Sequence, residues 1–164
     1  SEPGKGTKFT VEVPLELASE EDICKKELPE QTFMTDKNIR KRILLAEDNE
    51  LNAEIAMELL KEEGFLIDWV KDGQECFDKL EEADEGYYDL ILMDIQMPVM
   101  DGYDAAARIR RMKDEKKASI PIIAMTANAF AEDRQKAISM GMNDHVAKPI
   151  DMNVLLPVIA KHIR

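Results

Sequence analysis

From residue 40 onward the chain alternates short apolar runs with stretches of helical period, and that rhythm predicts its elements. Ile43-Leu-Leu-Ala46 is an apolar run of strand length, closed by Glu47-Asp48. Asn49 is placed to cap a helix whose Leu51, Ile55 and Leu59, with Ala56 and Leu60 beside them, share one face, and Gly64 stops it. Phe65 to Val70 reads as a second strand, and Asp68 inside it marks an edge position. Asp72-Gly73 turns the chain into a helix carrying Cys76, Phe77 and Leu80, and Gly86 ends the connection. Leu90-Ile-Leu-Met93 is apolar without alternation, the pattern of a strand covered by helices on both faces of a parallel sheet. It delivers Asp94 to its carboxyl end. Pro98 and Gly102 then turn the chain, proline by fixing φ and glycine by accepting φ above zero. A helix from Tyr103 to about Met112 follows, then a strand over Ile120–Met125 with Pro121 near its start. A helix from about Ala131 to Met140 ends at Gly141, His145–Ala147 makes a brief strand, and Met152 to about Ile163 a closing helix. Five alternations predict an α/β domain in which a parallel sheet is wrapped by five helices through right-handed crossovers.

The start of the chain has another character. In Thr7-Lys-Phe-Thr-Val-Glu-Val-Pro-Leu15, Phe9, Val11, Val13 and Leu15 alternate with polar residues as in a half-buried strand, which cannot bury its apolar face alone. Residues 16–39 are acidic, hold no sustained apolar period and are interrupted by Pro29, so they read as a linker. At 164 residues there is room for one ordinary domain, here residues 40–164, plus an appendage. The formal charge of -12 excludes the basic footprint a nucleic-acid surface needs. No apolar run approaches the roughly 20 residues of a bilayer-spanning helix, and Ser1-Glu-Pro-Gly4 does not open a signal peptide. Cys24 and Cys76 lack metal spacing and read as free thiols in a reducing cytoplasm, the expected location.

Parallel strands gather their carboxyl ends on one rim, where ligands bind in open α/β sheets. Glu47 and Asp48, Asp94, Thr126 and Lys148 would meet there. Three carboxylates so close cannot all stay ionised without a compensating cation. A divalent ion held by oxygen ligands answers this, and Mg²⁺ suits it because it takes one or two carboxylates, keeps waters and leaves room for a phosphoryl oxygen. Lysine supplies a compact positive charge, threonine a hydroxyl, and a carboxylate in line with phosphorus a nucleophile able to form an aspartyl phosphate.

Four stretches, Leu45-Ala-Glu-Asp-Asn-Glu-Leu-Asn52, Met93-Asp-Ile-Gln-Met-Pro-Val-Met-Asp-Gly102, Ala124-Met-Thr-Ala-Asn-Ala129 and Ala147-Lys-Pro149, resemble the receiver domain of two-component signalling, in wording the receivers fused to hybrid sensor histidine kinases. The resemblance implies a flavodoxin-like, doubly wound sheet of order 2-1-3-4-5. It implies Asp94 as phosphoacceptor; Asp48, Asp94 and the backbone carbonyl of Gln96 as Mg²⁺ ligands, with Mn²⁺ an alternative ion; and Glu47 acting through water in place of a commoner Asp. Thr126 would be the switch hydroxyl, His145 would stand at the switch aromatic position, and Lys148 would bind the phosphoryl group beside a cis bond to Pro149. Gln96 and Asn128 would tune dephosphorylation. The expected partners are the phosphoacceptor domain of a histidine kinase and a histidine phosphotransfer protein, without membrane insertion by this segment. Pro3–Phe9 and Val13-Pro-Leu15 resemble the last strand of a histidine-kinase ATP-binding domain, which makes residues 1–15 a remnant of that domain. On that reading the ATP lid and the phosphoacceptor histidine are missing, so the fragment would not phosphorylate itself from ATP. No DNA-binding segment follows Ile163, so the expected output is not transcriptional.

Two other classes stay open. A metal-dependent phosphatase with an aspartyl nucleophile would want a general acid shortly after it, and Gln96 two residues on cannot protonate a leaving group. A pseudo-receiver would bind partners without phosphorylation, which retention of the acids, Thr126 and Lys148 speaks against. His162 reads as a favourable cation in a last helical turn, and Cys76 as a packed thiol.

Overall fold

The computed structural model describes residues 41–127 and 131–163. The segment 7–15, the acidic stretch 16–39, Cys24 and Asn128 lie outside the described residues. Five strands, β1 Arg42–Ala46, β2 Leu66–Val70, β3 Leu90–Asp94, β4 Ile122–Thr126 and β5 Asp144–Ala147, form one parallel sheet of order β2-β1-β3-β4-β5. The unalternating apolar runs are explained by its two covered faces. Leu44, Ile91, Met93, Ile122 and Ala124 point to one side, and their neighbours Ile43, Leu45, Leu90, Leu92, Ile123 and Met125 to the other.

The helices among the described residues are α1 Glu50–Glu62, α2 Gly73–Glu82, α3 Gly102–Ile109, α4 Glu115–Ala118, α5 Ala131–Ser139 and α6 Met152–His162. There are six where the sequence predicts five. The extra one, α4, is a single turn with no buried residue, started by Asp114 accepting from the amides of Lys116 and Lys117 at 2.9 and 3.2 Å. It is made by a cap rather than by apolar period, and so leaves no periodic trace. Asn49, Asp72, Asp101 and Asp151 cap α1, α2, α3 and α6 through side-chain oxygens in the same way. Helices α2, α3 and α5 cover one face of the sheet, while α1 and α6 cover the other.

Two expectations are corrected. On α1 the sheet-facing side is Ala53, Ala56 and Leu60, leaving Leu51 64% and Ile55 50% exposed. Small alanines let the helix approach the sheet, and the neighbouring stripe of larger apolar residues, equally helical in spacing, turns outward. Gly102 is not among the residues of positive φ; its need is space, because a Cβ there would lie 2.2 Å from the Asp94 carbonyl oxygen. Positive φ in that loop falls on Val99, at 64°, in a region that a β-branched residue rarely enters.

Candidate functional site

The parallel register sets the carboxyl ends of β1, β3 and β4 side by side, with Ala46 opposite Met93 and Asp94 opposite Met125. Glu47 and Asp48 follow β1, Asp94 is the last residue of β3, Thr126 the last of β4, and Lys148 follows β5. The Lys148 amide donates to the Thr126 carbonyl at 2.7 Å, fixing where its side chain starts. A cleft of about 550 Å³ opens over this rim, lined by Glu47, Asp48, Asp94, Gln96, Thr126 and Lys148. The sequence expects these six together, and the structure brings them together.

Lys148 ties the acids. Its Nζ donates to Asp94 Oδ2 at 2.6 Å and to Glu47 Oε2 at 2.5 Å. Burial raises the Asp94 carboxyl above the usual carboxylate range, the Lys148 ammonium only partly offsets this, and the neighbouring Glu47 carboxylate adds to the rise. The same burial works against the Lys148 charge, but bonds to Asp94 and Glu47 outweigh it and hold the ammonium more firmly protonated than in water. One cation therefore does not neutralise the rim. Ligand oxygens of Glu47, Asp48 and Asp94 all lie within 4.8 Å of one another, leaving two more negative than positive charges. A compact set of hard oxygen donors with that excess fits a divalent cation such as Mg²⁺. Asp48 is exposed at the mouth, whereas Glu47 is 2% exposed, its second oxygen accepting from Asn52 Nδ2 at 3.0 Å.

Thr126 is buried at the cleft wall, and the Gln96 amide donates to Asp94 Oδ1 at 3.2 Å. The bond between Lys148 and Pro149 is cis, as expected. His145 does not line the cleft. It sits at the start of β5, its Nδ1 buried 3.7 Å from Asp144 Oδ1 and without a hydrogen bond. Four residues that sequence reasoning gave no role take part. Asn52 holds Glu47; Trp69 donates from Nε1 to the Glu47 carbonyl at 2.9 Å; Tyr103 and Lys136 line the cleft. Asn52 belongs to the quoted stretch 45–52 and sits five residues after Glu47, on the first turns of a helix that Asn49 caps, a signal that could have found it. The other three are set by tertiary packing.

The response regulator receiver domain family matches residues 43–160. The hybrid signal transduction histidine kinase B of Dictyostelium discoideum is 41% identical over 132 residues, 74% of this chain and 7% of that protein. The chain thus spans a small part of the curated relatives it matches. Among solved structures, the receiver domain of the sensor histidine kinase PA1611 of Pseudomonas aeruginosa PAO1, with magnesium in its active site cleft, is 36% identical. Its TM-score is 0.67, covering 76% of this chain and 98% of that one. The receiver domain of Ssk1 from Saccharomyces cerevisiae, in complex with the histidine phosphotransfer protein Ypd1, is 30% identical with a TM-score of 0.66, covering 75% of this chain and 88% of that one. The family match runs from β1 into α6, across every strand of the sheet, and the chain belongs to the response regulator receiver domain family of two-component phosphorelay signalling.

Proposed function

We propose that Asp94 is the phosphoacceptor of this receiver domain. The observation that carries the reading is the Lys148 ammonium bonded to Asp94 at 2.6 Å inside a cluster of three carboxylates at the strand ends. An Asp94 oxygen forms the new bond to phosphorus as the phosphorus–nitrogen bond of a donor phosphohistidine breaks. The electron pair leaves with the imidazole, which takes its proton from solvent. Lys148 stands where it balances charge building on the phosphoryl oxygens, and the Thr126 hydroxyl lies on the same cleft wall. Asp48, Asp94 and the Gln96 carbonyl would hold Mg²⁺ or, as an alternative, Mn²⁺, with Glu47 contributing through water. The bound ion would neutralise the acids and the incoming oxygens.

The donor or next acceptor is a histidine protein, either the kinase's own phosphoacceptor domain or a histidine phosphotransfer protein. Exposed Leu51 and Ile55 on α1 and Val99 after β3 offer it apolar contact. Thr126 and His145 carry the switch toward the α5, β5 and α6 surface, and Gln96 and Asn128 set the phosphoryl lifetime. Residues 1–15 are assigned as the end of a kinase ATP-binding domain and 16–39 as the linker. No helix among the described residues is long and apolar enough to cross a membrane. The location proposed for the receiver is the cytoplasm, whether or not its parent kinase is anchored in a membrane. Intact-mass analysis after incubation with acetyl phosphate and Mg²⁺ tests the assignment: one phosphoryl adduct forms and Asp94→Asn lacks it. An adduct persisting in that variant would overturn it.

A further inference from the structure

Lys148 is already committed to two carboxylates, yet a phosphoryl donor brings two further negative charges into the cleft. Even with a divalent ion cancelling the two unbalanced charges of the acids, the arriving anion meets, among the described residues of the rim, no cation that is not already in use. The described residues lining the cleft include one other cation, Lys136, which reaches it from α5. Its Nζ sits 4.2 Å from the ring centroid of Tyr103, which stands in the first turn of α3 and lines the same cleft. A cation–π contact at an exposed site is weak, so it places an ammonium without holding it against a stronger attraction. Lys136 is exposed and long-stemmed, and moving its head toward the cleft costs little.

We propose that Lys136 is a second cation of the Asp94 cleft, parked over Tyr103 and drawn to the anionic phosphoryl donor as it enters. This rests on the phosphoacceptor reading. Lys136 acts on the charge of the donor, which separates it from a structural lysine. Removing a positive charge from the cleft makes it a better place for Mg²⁺ and a worse one for the donor, two effects of opposite sign. A packing defect would weaken both.

The test compares wild type, Lys136→Met, Lys136→Arg and, as a control for net charge alone, Lys113→Met in the connection between α3 and α4, at the other end of the sheet. Calorimetry measures Mg²⁺ binding. Intact mass measures the rate of labelling by acetyl phosphate at saturating Mg²⁺, in which Asp94 oxygen bonds to phosphorus and acetate leaves with the electron pair. Lys136→Met should bind Mg²⁺ about two- to fivefold more tightly and label about two- to fivefold more slowly, the size of one unit charge acting across a hydrated cleft. Its labelling rate should also depend less on ionic strength. Lys136→Arg should stay near wild type, and Lys113→Met should change neither readout. Unchanged labelling in Lys136→Met, or Mg²⁺ binding and labelling that weaken together, overturns the role of Lys136 while leaving Asp94 as phosphoacceptor. A wild type that is not labelled at all overturns the phosphoacceptor reading itself, and the proposal with it.

Discussion

Lys148 and Asp94 act on stability with opposite sign. The ammonium is 19% exposed and bonded to two carboxylates that are nearly buried. Removing one partner of such a cluster leaves like charges facing each other with no counter-ion, a situation that costs about 3–5 kcal/mol when fully buried. Partial hydration of Lys148 lowers this, so Lys148→Met should destabilise the protein by roughly 2–3 kcal/mol in urea titrations without divalent ions. Added Mg²⁺ should recover part of the loss by supplying positive charge to the same oxygens. Asp94 carries the opposite sign. Because burial raises its carboxyl above the ordinary range, its ionised form opposes folding at neutral pH, and Asp94→Asn should raise the urea midpoint. A Lys148→Met protein as stable as wild type would show that the ammonium does not neutralise the acids.

Among the elements, α1 carries one packed and one exposed apolar stripe. Its inner stripe, Ala53, Ala56 and Leu60, is closed against the sheet, and its outer stripe shows Leu51 and Ile55 to solvent beside the cleft. Leu60→Ala should cost about 2–5 kcal/mol of stability, as a fully buried leucine does. The double substitution Leu51→Ala and Ile55→Ala should stay within about 0.5 kcal/mol per site. That double variant should accept phosphoryl groups from acetyl phosphate at the wild-type rate but from a phosphorylated histidine protein about tenfold more slowly, which radiolabel transfer would measure. Equal loss with both donors would place the effect in the cleft instead. A second junction ties β5 to α6. Asp144 Oδ2 accepts from Lys161 Nζ at 2.8 Å and lies 3.1 Å from His162 Nε2. Burial pushes the Asp144 carboxyl up, but these bonds and the His145 amide outweigh it and hold the group well below the usual carboxylate range. A depressed carboxylate contributes stability above its unfolded value of about 3.9 and loses it as pH falls toward the folded one. Thermal unfolding should therefore show Asp144→Asn about 1 kcal/mol less stable than wild type at pH 7, with the gap closing below about pH 4. A gap that widens on acidification would contradict this sign.

Over the whole molecule, strands and the residues at their ends were legible because each is written locally. An apolar run ending in an acid, a threonine or a lysine places that group on the rim once the sheet is parallel. Asp68 inside β2 marks an edge, and β2 is one of the two edge strands, β5 being the other. What the sequence withheld depends on contacts between distant segments. Which of two apolar stripes on α1 faces inward is decided by how close the helix lies to the sheet. That Gly102 serves close approach to Asp94 rather than positive φ depends on where α3 starts, and the place of Lys136 over Tyr103 depends on how α5 sits beside α3. His162 shows the same limit, since it has a carboxylate partner in Asp144 besides a helix terminus. On the proposed function, Asp94 alone among these carboxylates is the nucleophile. An acyl phosphate is reduced by borohydride to an alcohol, so treatment of the phosphorylated protein followed by peptide sequencing identifies the acceptor directly. Homoserine at position 94 and nowhere else is the predicted result; homoserine at position 48, or a label that resists reduction, would contradict it.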